Sequence, residues 1–515
     1  MHGLARRHVL TVAFAGLAGG LACGEDGGSG GDGGGAFSEP ADFDRGDCRA
    51  GAAVDAVDVA GIWHADVAFD GLLPRPAAIR IDPTAGGNGF SAYLFGGRTD
   101  DVRLTPDDLF IRYEAVVDGD EVVVAVDLCR MQDDGSLAGL VARCIAGNCG
   151  LGRIAAYPVP PLDDAEAENM TLVGEWEGPA SDPWPQAYTL NVRHHGTAAY
   201  LVHDNDGLRI IDLADPAHPA DLGHLAPAFP ASEYYNDVKV VETADGAVYA
   251  LLASNGRGVV VADVTDPTAP VEVTSFPAPP VSGGGVNVHT LFVEGDRVYL
   301  ANLDVGGIEI YDIADPTRPV PLGAYVYPDA GALGGFVHDL FVQDGVAYLN
   351  YWSVGFVVVD AADPAHPALL GVFDDYPRRT SHSNWVTEAG GRRIAIHGDE
   401  DFDAHVRIID VDPDSPTVFT EIGSYQTRPQ VSVHNIMATG GLALVTYYQD
   451  GLRVLDLADP TSPVEIAHFA TWPGAASGYG GSFYEAAIGV DYDAERDLIL
   501  VADTHRGLLV LTLDR

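Results

Sequence analysis

Basic residues are scarce in this chain and lysine is almost missing: Lys239 is the single lysine among 28 basic residues, which face 75 acidic ones. The formal net charge is −47. Such a surface repels phosphate backbones and anionic lipid headgroups, so nucleic acid is not an expected partner. Dense carboxylates hold hydration, and solubility in a salty medium accounts for them more simply than a dedicated cation-binding role. Long helical patterns are missing as well, while Gly 61 and Pro 33 favour short strands joined by tight turns. Beyond the N-terminus no stretch is apolar for long enough to cross a membrane as a helix. There is no nucleophile elbow, no His-Glu-x-x-His and no phosphate-cradling glycine loop, and no catalytic residue is assigned.

What is present begins with an address. Arg6 and Arg7 precede an apolar stretch from Val9 to Ala22, which fits a signal peptide over residues 1–22. The stretch ends Gly20-Leu21-Ala22-Cys23, which resembles the lipobox of bacterial lipoproteins, with Gly20 where a leucine is usual. That resemblance implies an acylated Cys23 anchoring the chain to a bilayer; the alternative is a free secreted protein. Residues 23–41, rich in Gly, Asp and Ser, read as a tether. The expected location is the outer membrane, cell surface or periplasm.

Two textures follow. Residues 42–161 show no repeat but carry strand-length apolar runs at Ala56–Val67, Ala77–Ile81, Phe90–Phe95, Leu109–Val117 and Val122–Leu128. They predict a small β-barrel or β-sandwich domain. Cys48, Cys129, Cys144 and Cys149 all lie before or within this domain's end, and an even count in an exported protein predicts two disulfides with three possible pairings. Residues 162–169 read as a linker.

Residues 170–515 repeat. Asp-Pro steps fall at 215, 266, 315, 363, 412 and 459, a period of 47 to 51 residues. Each step closes a run such as Gly207-Leu-Arg-Ile-Ile-Asp-Leu-Ala-Asp-Pro216 or Gly451-Leu-Arg-Val-Leu-Asp-Leu-Ala-Asp-Pro460. A seventh copy, Gly507 to Asp514, lacks the proline. Each unit predicts four strands: in one copy Val337–Val342, Val346–Leu349, Gly355–Asp360 and, after the turn, Ala368–Phe373. Proline lacks a donor, so it can end the third strand but not sit inside it. Four short strands per unit of this length is the arithmetic of propeller blades, so the fold class is all-β with a seven-bladed β-propeller. Thr171–Trp176 reads as an orphan fourth strand that would complete the seventh blade and remove an open edge.

The Gly-h-x-h-h-Asp-h-x-Asp-Pro copies resemble the LVIVD-repeat family of bacterial surface proteins, over about residues 170–515. Ser381-His-Ser-Asn-Trp-Val-Thr387 with Gly398-Asp-Glu400 is similar to the choice-of-anchor propellers of exported proteins. Both resemblances imply the fold, and neither implies catalytic residues.

One constellation could carry chemistry. His289, His338, His382 and His434 occupy the same position at the head of the first strand in blades three to six. First strands line a propeller's channel, so these histidines form part of a ring. Converging neutral imidazoles are ligands for zinc, copper or iron; the plainer account is a polar position bonded to the neighbouring blade. Blade one offers Leu190 or Asn191 there, blade two Asn236 or Asp237, and blade seven Glu485 or Ala486. Asp399, Asp401 and Asp403 are a weaker calcium candidate, and Asp204-Asn-Asp206 reads as a hairpin turn. Tyr351, Trp352, Tyr447 and Tyr448 follow second strands and serve either a stacking face or the blade core. The leading expectation is a monomeric, non-enzymatic propeller binding a protein or glycan. The alternatives are a metal-dependent enzyme using the histidines and a calcium-stabilised adhesin.

Overall fold

A computed structural model describes residues 37–514 except 49–53, 70–73, 86–88, 96, 118, 179–188, 204–205, 230–232, 279–285, 378 and 473–481. The signal peptide, Cys23 and most of the tether lie outside the described residues. Two compact units divide the chain: Met1–Pro161 with Gly474–Glu485, and Leu162–Pro473 with Ala486–Arg515.

The first unit is built on one antiparallel sheet of nine strands. Gly61–Phe69, the strand carrying Trp63, pairs with Arg75–Pro83 on one side and with the last strand, Asn148–Pro158, on the other. From Asn148–Pro158 the order runs back through Leu137–Ile145, Asp120–Met131 and Leu109–Val117. The two edges are Gly97–Thr99 and Asp101–Leu104, and they curl toward each other. Thr99 Oγ1 donates to Arg112 O at 2.5 Å, and a Cβ on Gly97 would fall inside the Tyr113 ring. The sheet is thus a nearly closed barrel rather than a sandwich. Its interior holds Trp63, Ile79, Leu109, Val124 and Leu137, all buried.

Two disulfides join Cys48 to Cys129 and Cys144 to Cys149. They span sequence separations of 81 and 5 residues. Closing the longer loop restricts the unfolded chain more, so removing Cys48–Cys129 is expected to cost about 4 kcal/mol and removing Cys144–Cys149 about 2 kcal/mol. Urea unfolding of the two Cys→Ser double variants checks the order; equal midpoints would contradict it.

The second unit is the seven-bladed propeller. Blades one to six use the chain in order, from Thr189–Leu225 for the first to Ile436–Phe469 for the sixth. First strands touch in cyclic order, and that of blade seven, Ala487–Asp493, touches that of blade one, Thr189–His195. Blade seven draws its fourth strand from Met170–Trp176, which pairs with Gly507–Leu513. Arg506 adds a two-pronged ion pair to Glu175 at 2.7 Å, and Thr171 Oγ1 donates to Asp514 at 2.9 Å. Part of the predicted linker is ordered into the fold: Ala167–Glu168 pairs with Val464–Phe469 as a fifth strand on blade six. A two-residue strand carries too little pattern to be read from sequence.

The repeat's conserved grammar has a local cause. In the run of blade one, Asp212 Oδ1 accepts from Ala214 N at 2.8 Å and Asp215 Oδ1 from Ala217 N at 3.2 Å. The same pair of turns recurs at Asp263 and Asp266, Asp312 and Asp315, Asp360 and Asp363, and Asp456 and Asp459. In blade five, where the run Val406-Arg-Ile-Ile-Asp-Val-Asp-Pro413 is shorter, Asp410 and Asp412 do the same. Each aspartate therefore supplies the acceptor that a chain leaving a strand needs, and the proline ends the ladder.

Candidate functional site

The four histidines stand side by side on consecutive blades. Ring centroids are 4.1 Å apart for His289–His338, 4.2 Å for His338–His382 and 4.3 Å for His382–His434. In blades one, two, three, five and seven the position is a bulge, an extra residue in the first strand at the point where its register against the second strand shifts. The bulge re-aims the side chain out of the ladder. It places Leu190 in blade one, Asn236 in blade two and Ile488 in blade seven. The assignment of Glu485 or Ala486 to blade seven is therefore corrected: both precede the strand, and Ile488 holds the position. A bulge adds a residue without changing the alternation on either side, so alignment by the apolar pattern alone slips here.

The polar residues at this position lean on the next blade. Asn236 Nδ2 donates to His289 O at 3.1 Å and lies 3.2 Å from His289 Nε2. His434 Nδ1 donates to Ile488 O at 2.7 Å. His338 and His382 face the backbone of His382 and His434 in the same way. Yet neither Nδ1 forms a well-aligned hydrogen bond, and both atoms are buried. Burial disfavours the charged ring, lowering His289 to about 4, His434 to about 3 and the two middle histidines well below their usual range. All four are neutral imidazoles at physiological pH.

The histidines do not form a convergent four-ligand set. The grouping that does converge is His338, His382 and Glu400, one ligand atom from each lying within 4.8 Å of the others. Glu400 follows the second strand of blade five, Arg392–Asp399, and its N–H donates to Thr380 O at 3.0 Å. Its Oε1 accepts the Tyr448 hydroxyl. Its Oε2 lies 3.7 Å from His382 Nε2, and its Oε1 3.8 Å from His434 Nε2. Burial pushes this carboxyl up to about 8, despite the Tyr448 hydrogen bond. Trp352 stacks on His338 at 4.9 Å, Phe336 on Trp352 at 5.5 Å, and Tyr448 packs on His434 at 4.8 Å. Trp352 and Tyr448 thus serve the site, while Tyr351 and Tyr447 are core. Sequence reasoning placed Glu400 in an acidic loop; its position one residue past a second strand, beside the channel, was the available signal.

The calcium candidates are not brought together. Asp399 bonds the Arg407 guanidinium and accepts from Thr380 N at 2.9 Å. Asp401 Oδ1 accepts from Phe402 N at 2.7 Å, and Asp403 Oδ1 from Gln426 Nε2 at 3.3 Å. Among the described residues these three carboxylates form no common cation-ligand group. A loop of acidic residues resembles a cation site in sequence even when an arginine from the next strand neutralises its first member. Asp206 is likewise engaged, by Arg209 at 2.7 Å and by His224; Asp204 lies outside the described residues.

The single lysine was not singled out for a role, and the fold gives it one. Lys239 Nζ pairs with Asp237 Oδ2 at 2.5 Å, one residue past the ring position of blade two. Asp237 Oδ1 accepts from Asn191 Nδ2 at 2.7 Å, which ties blades one and two. Asp339, the equivalent residue of blade four, is pushed up to about 6 by burial and by Asp237, with Lys239 opposing. The interior thus carries ionisable groups one residue past the ring position on blades two and four, beside the imidazoles of blades three to six.

A seven-bladed propeller of four-stranded units closed by its own N-terminal strand is the class that this architecture defines. Four of its repeats match the family description LVIVD repeat, over residues 188–225, 243–277, 334–375 and 432–471, which fall on blades one, two, four and six. No curated protein matches the chain. Among solved structures, Chaetomium thermophilum Raptor is similar at 12% identity and TM-score 0.49, over 66% of this chain and 28% of that one. The computationally designed Ika8 protein is similar at 9% identity and TM-score 0.42, over 79% of this chain and 94% of that one. The C-terminal WD40 domain of Sif2 is similar at 14% identity and TM-score 0.41, over 76% and 92%. None of the three informs the function.

Proposed function

We propose that this chain is an exported, lipid-anchored envelope protein whose propeller is a binding module for a protein or glycan. The observation that carries the reading is how the repeat residues are used. The Asp-Pro turns and the strand alternation are consumed in holding blades together, which leaves the other loops between strands for recognition. Export is supported by the leader of residues 1–22 that precedes Cys23 and by two disulfides, which persist in oxidising compartments. Expressed in a bacterium with labelled palmitate, the full chain is expected to carry label and sediment with membranes, and Cys23→Ala to lose both. A Cys23→Ala chain that stays labelled and membrane-bound would overturn the anchor. For the partner, the charge of −47 sets the test: affinity for a basic protein falls steeply with added salt, while affinity for a neutral glycan does not. Immobilised protein that retains neither envelope proteins nor envelope glycans would overturn the binding role.

A second reading, a metal-dependent enzyme, draws on the grouping of His338, His382 and Glu400. Whether an ion sits there is separate from whether a reaction occurs there, and no substrate class follows from these residues. The calcium-stabilised adhesin has less support, because Arg407 already neutralises Asp399.

A further inference from the structure

We propose that His338, His382 and Glu400 together bind a divalent transition-metal ion of zinc type within the propeller. This does not depend on the lipid anchor or on any partner.

The plain account of the ring position is a polar side chain bonded to the next blade. Asn236 and His434 satisfy it fully, each donating to a carbonyl one blade on. His338 and His382 do not, since the Nδ1 atoms of both are buried without a well-formed hydrogen bond. These two are also the histidines that group with Glu400. His382 presents Nε2 to Glu400 Oε2, and a buried carboxylate costs free energy unless a counter-charge accompanies it. One cation beside Glu400 supplies that counter-charge.

The donor set fits. Two imidazoles and a carboxylate form a familiar zinc set with an open fourth position. Two donors about 2.1 Å from one tetrahedral ion lie roughly 3.4 Å apart. His382 Nε2 and Glu400 Oε2 are 3.7 Å apart, too long for a hydrogen bond and close to that span. Glu400 is 8% exposed and His382 2%. Tyr448 holds the other carboxylate oxygen and so orients Glu400, the support that metal-binding carboxylates ordinarily have. His434 Nε2, 3.8 Å from Glu400 Oε1, stands beside the fourth position. Trp352 stacks on the His338 ring and holds it in place. The acidic surface raises the local concentration of cations around the chain.

The test uses the full chain purified without a histidine tag and zinc chloride as the probe. After dialysis into metal-free buffer, elemental analysis is expected to find about one zinc per chain. In calorimetric titration with zinc, Glu400→Gln and His338→Ala are each expected to weaken binding about tenfold or more, while His289→Ala binds as the parent does. Glu400→Gln is isosteric and keeps an acceptor for Tyr448, and thermal melting establishes that each variant is folded. Folded parent protein that takes up no zinc would overturn the proposal. So would Glu400→Gln and His338→Ala variants that bind zinc like the parent.

Discussion

Gly323→Ala is expected to lower the propeller's melting temperature by roughly 5–10 °C, corresponding to about 3 kcal/mol or more. Gly323 lies in the fourth strand of blade three, Val320–Tyr325. A Cβ there would sit 1.7 Å from Pro364 O and 2.7 Å from Pro364 C, in the Asp-Pro turn of blade four. The obstacle is backbone, which cannot rotate away as a side chain could. The contact recurs at other seams: the same Cβ at Gly223 would meet Pro267 O at 2.0 Å, and at Gly423 it would meet Pro460 O at 2.3 Å. Gly174, in the strand that completes blade seven, would meet Pro216 O at 2.2 Å. The glycine is thus a seam between blades, and an added methyl forces two blades apart. Gly331 has nothing within 4 Å of a Cβ, so Gly331→Ala serves as a control expected within about 0.5 kcal/mol of the parent. A Gly323→Ala protein that melts with the parent would refute the account.

Leu511→Asp is expected to open the ring where its ends join. Leu511 is fully buried, lies opposite Leu172 on one side and Ile499 on the other, and packs in the core shared by blades six and seven. An ionised carboxylate there has no partner, and a buried unpaired charge costs several kcal/mol, about 4 or more. The loss falls on one seam, because blade seven holds its fourth strand only through Gly507–Leu513. Hydrogen exchange is expected to show Met170–Trp176 losing protection first, with blades two to four retaining theirs under mild conditions. Thr512, half-buried on the opposite face of the same strand, gives a milder comparison as Thr512→Asn. Uniform loss of protection in all blades would mean that the closing strand is not the weak point.

Both predictions bear on what could be read without coordinates. The Asp-Pro steps showed the period because each turn is stabilised within a few residues of chain, by Asp212 and Asp215 in blade one and their counterparts elsewhere. The closing strand was legible because Thr171–Trp176 carries the pattern of a fourth strand, and it also shares its bulge: the register shift between Leu172 and Gly174 recurs at Val358/Val359 in blade four. The four histidines were legible as a ring because they align in register. The barrel of the first unit was legible only as strands, since closure depends on how far a sheet coils, and that is settled by contacts such as Thr99 with Arg112.

The sequence by itself determined the repeat, the number of blades and the strand that closes them, because turn chemistry and period-two alternation act between residues near in the chain. Tertiary structure alone decided which side chains meet inside. It set Glu400 beside the row of four histidines and grouped it with two of them, put Ile488 rather than Glu485 or Ala486 at the seventh position, and gave Lys239 to Asp237. Those meetings depend on bulges that shift a side chain by one residue and on superposing seven strands around one axis. Neither leaves a mark in local sequence.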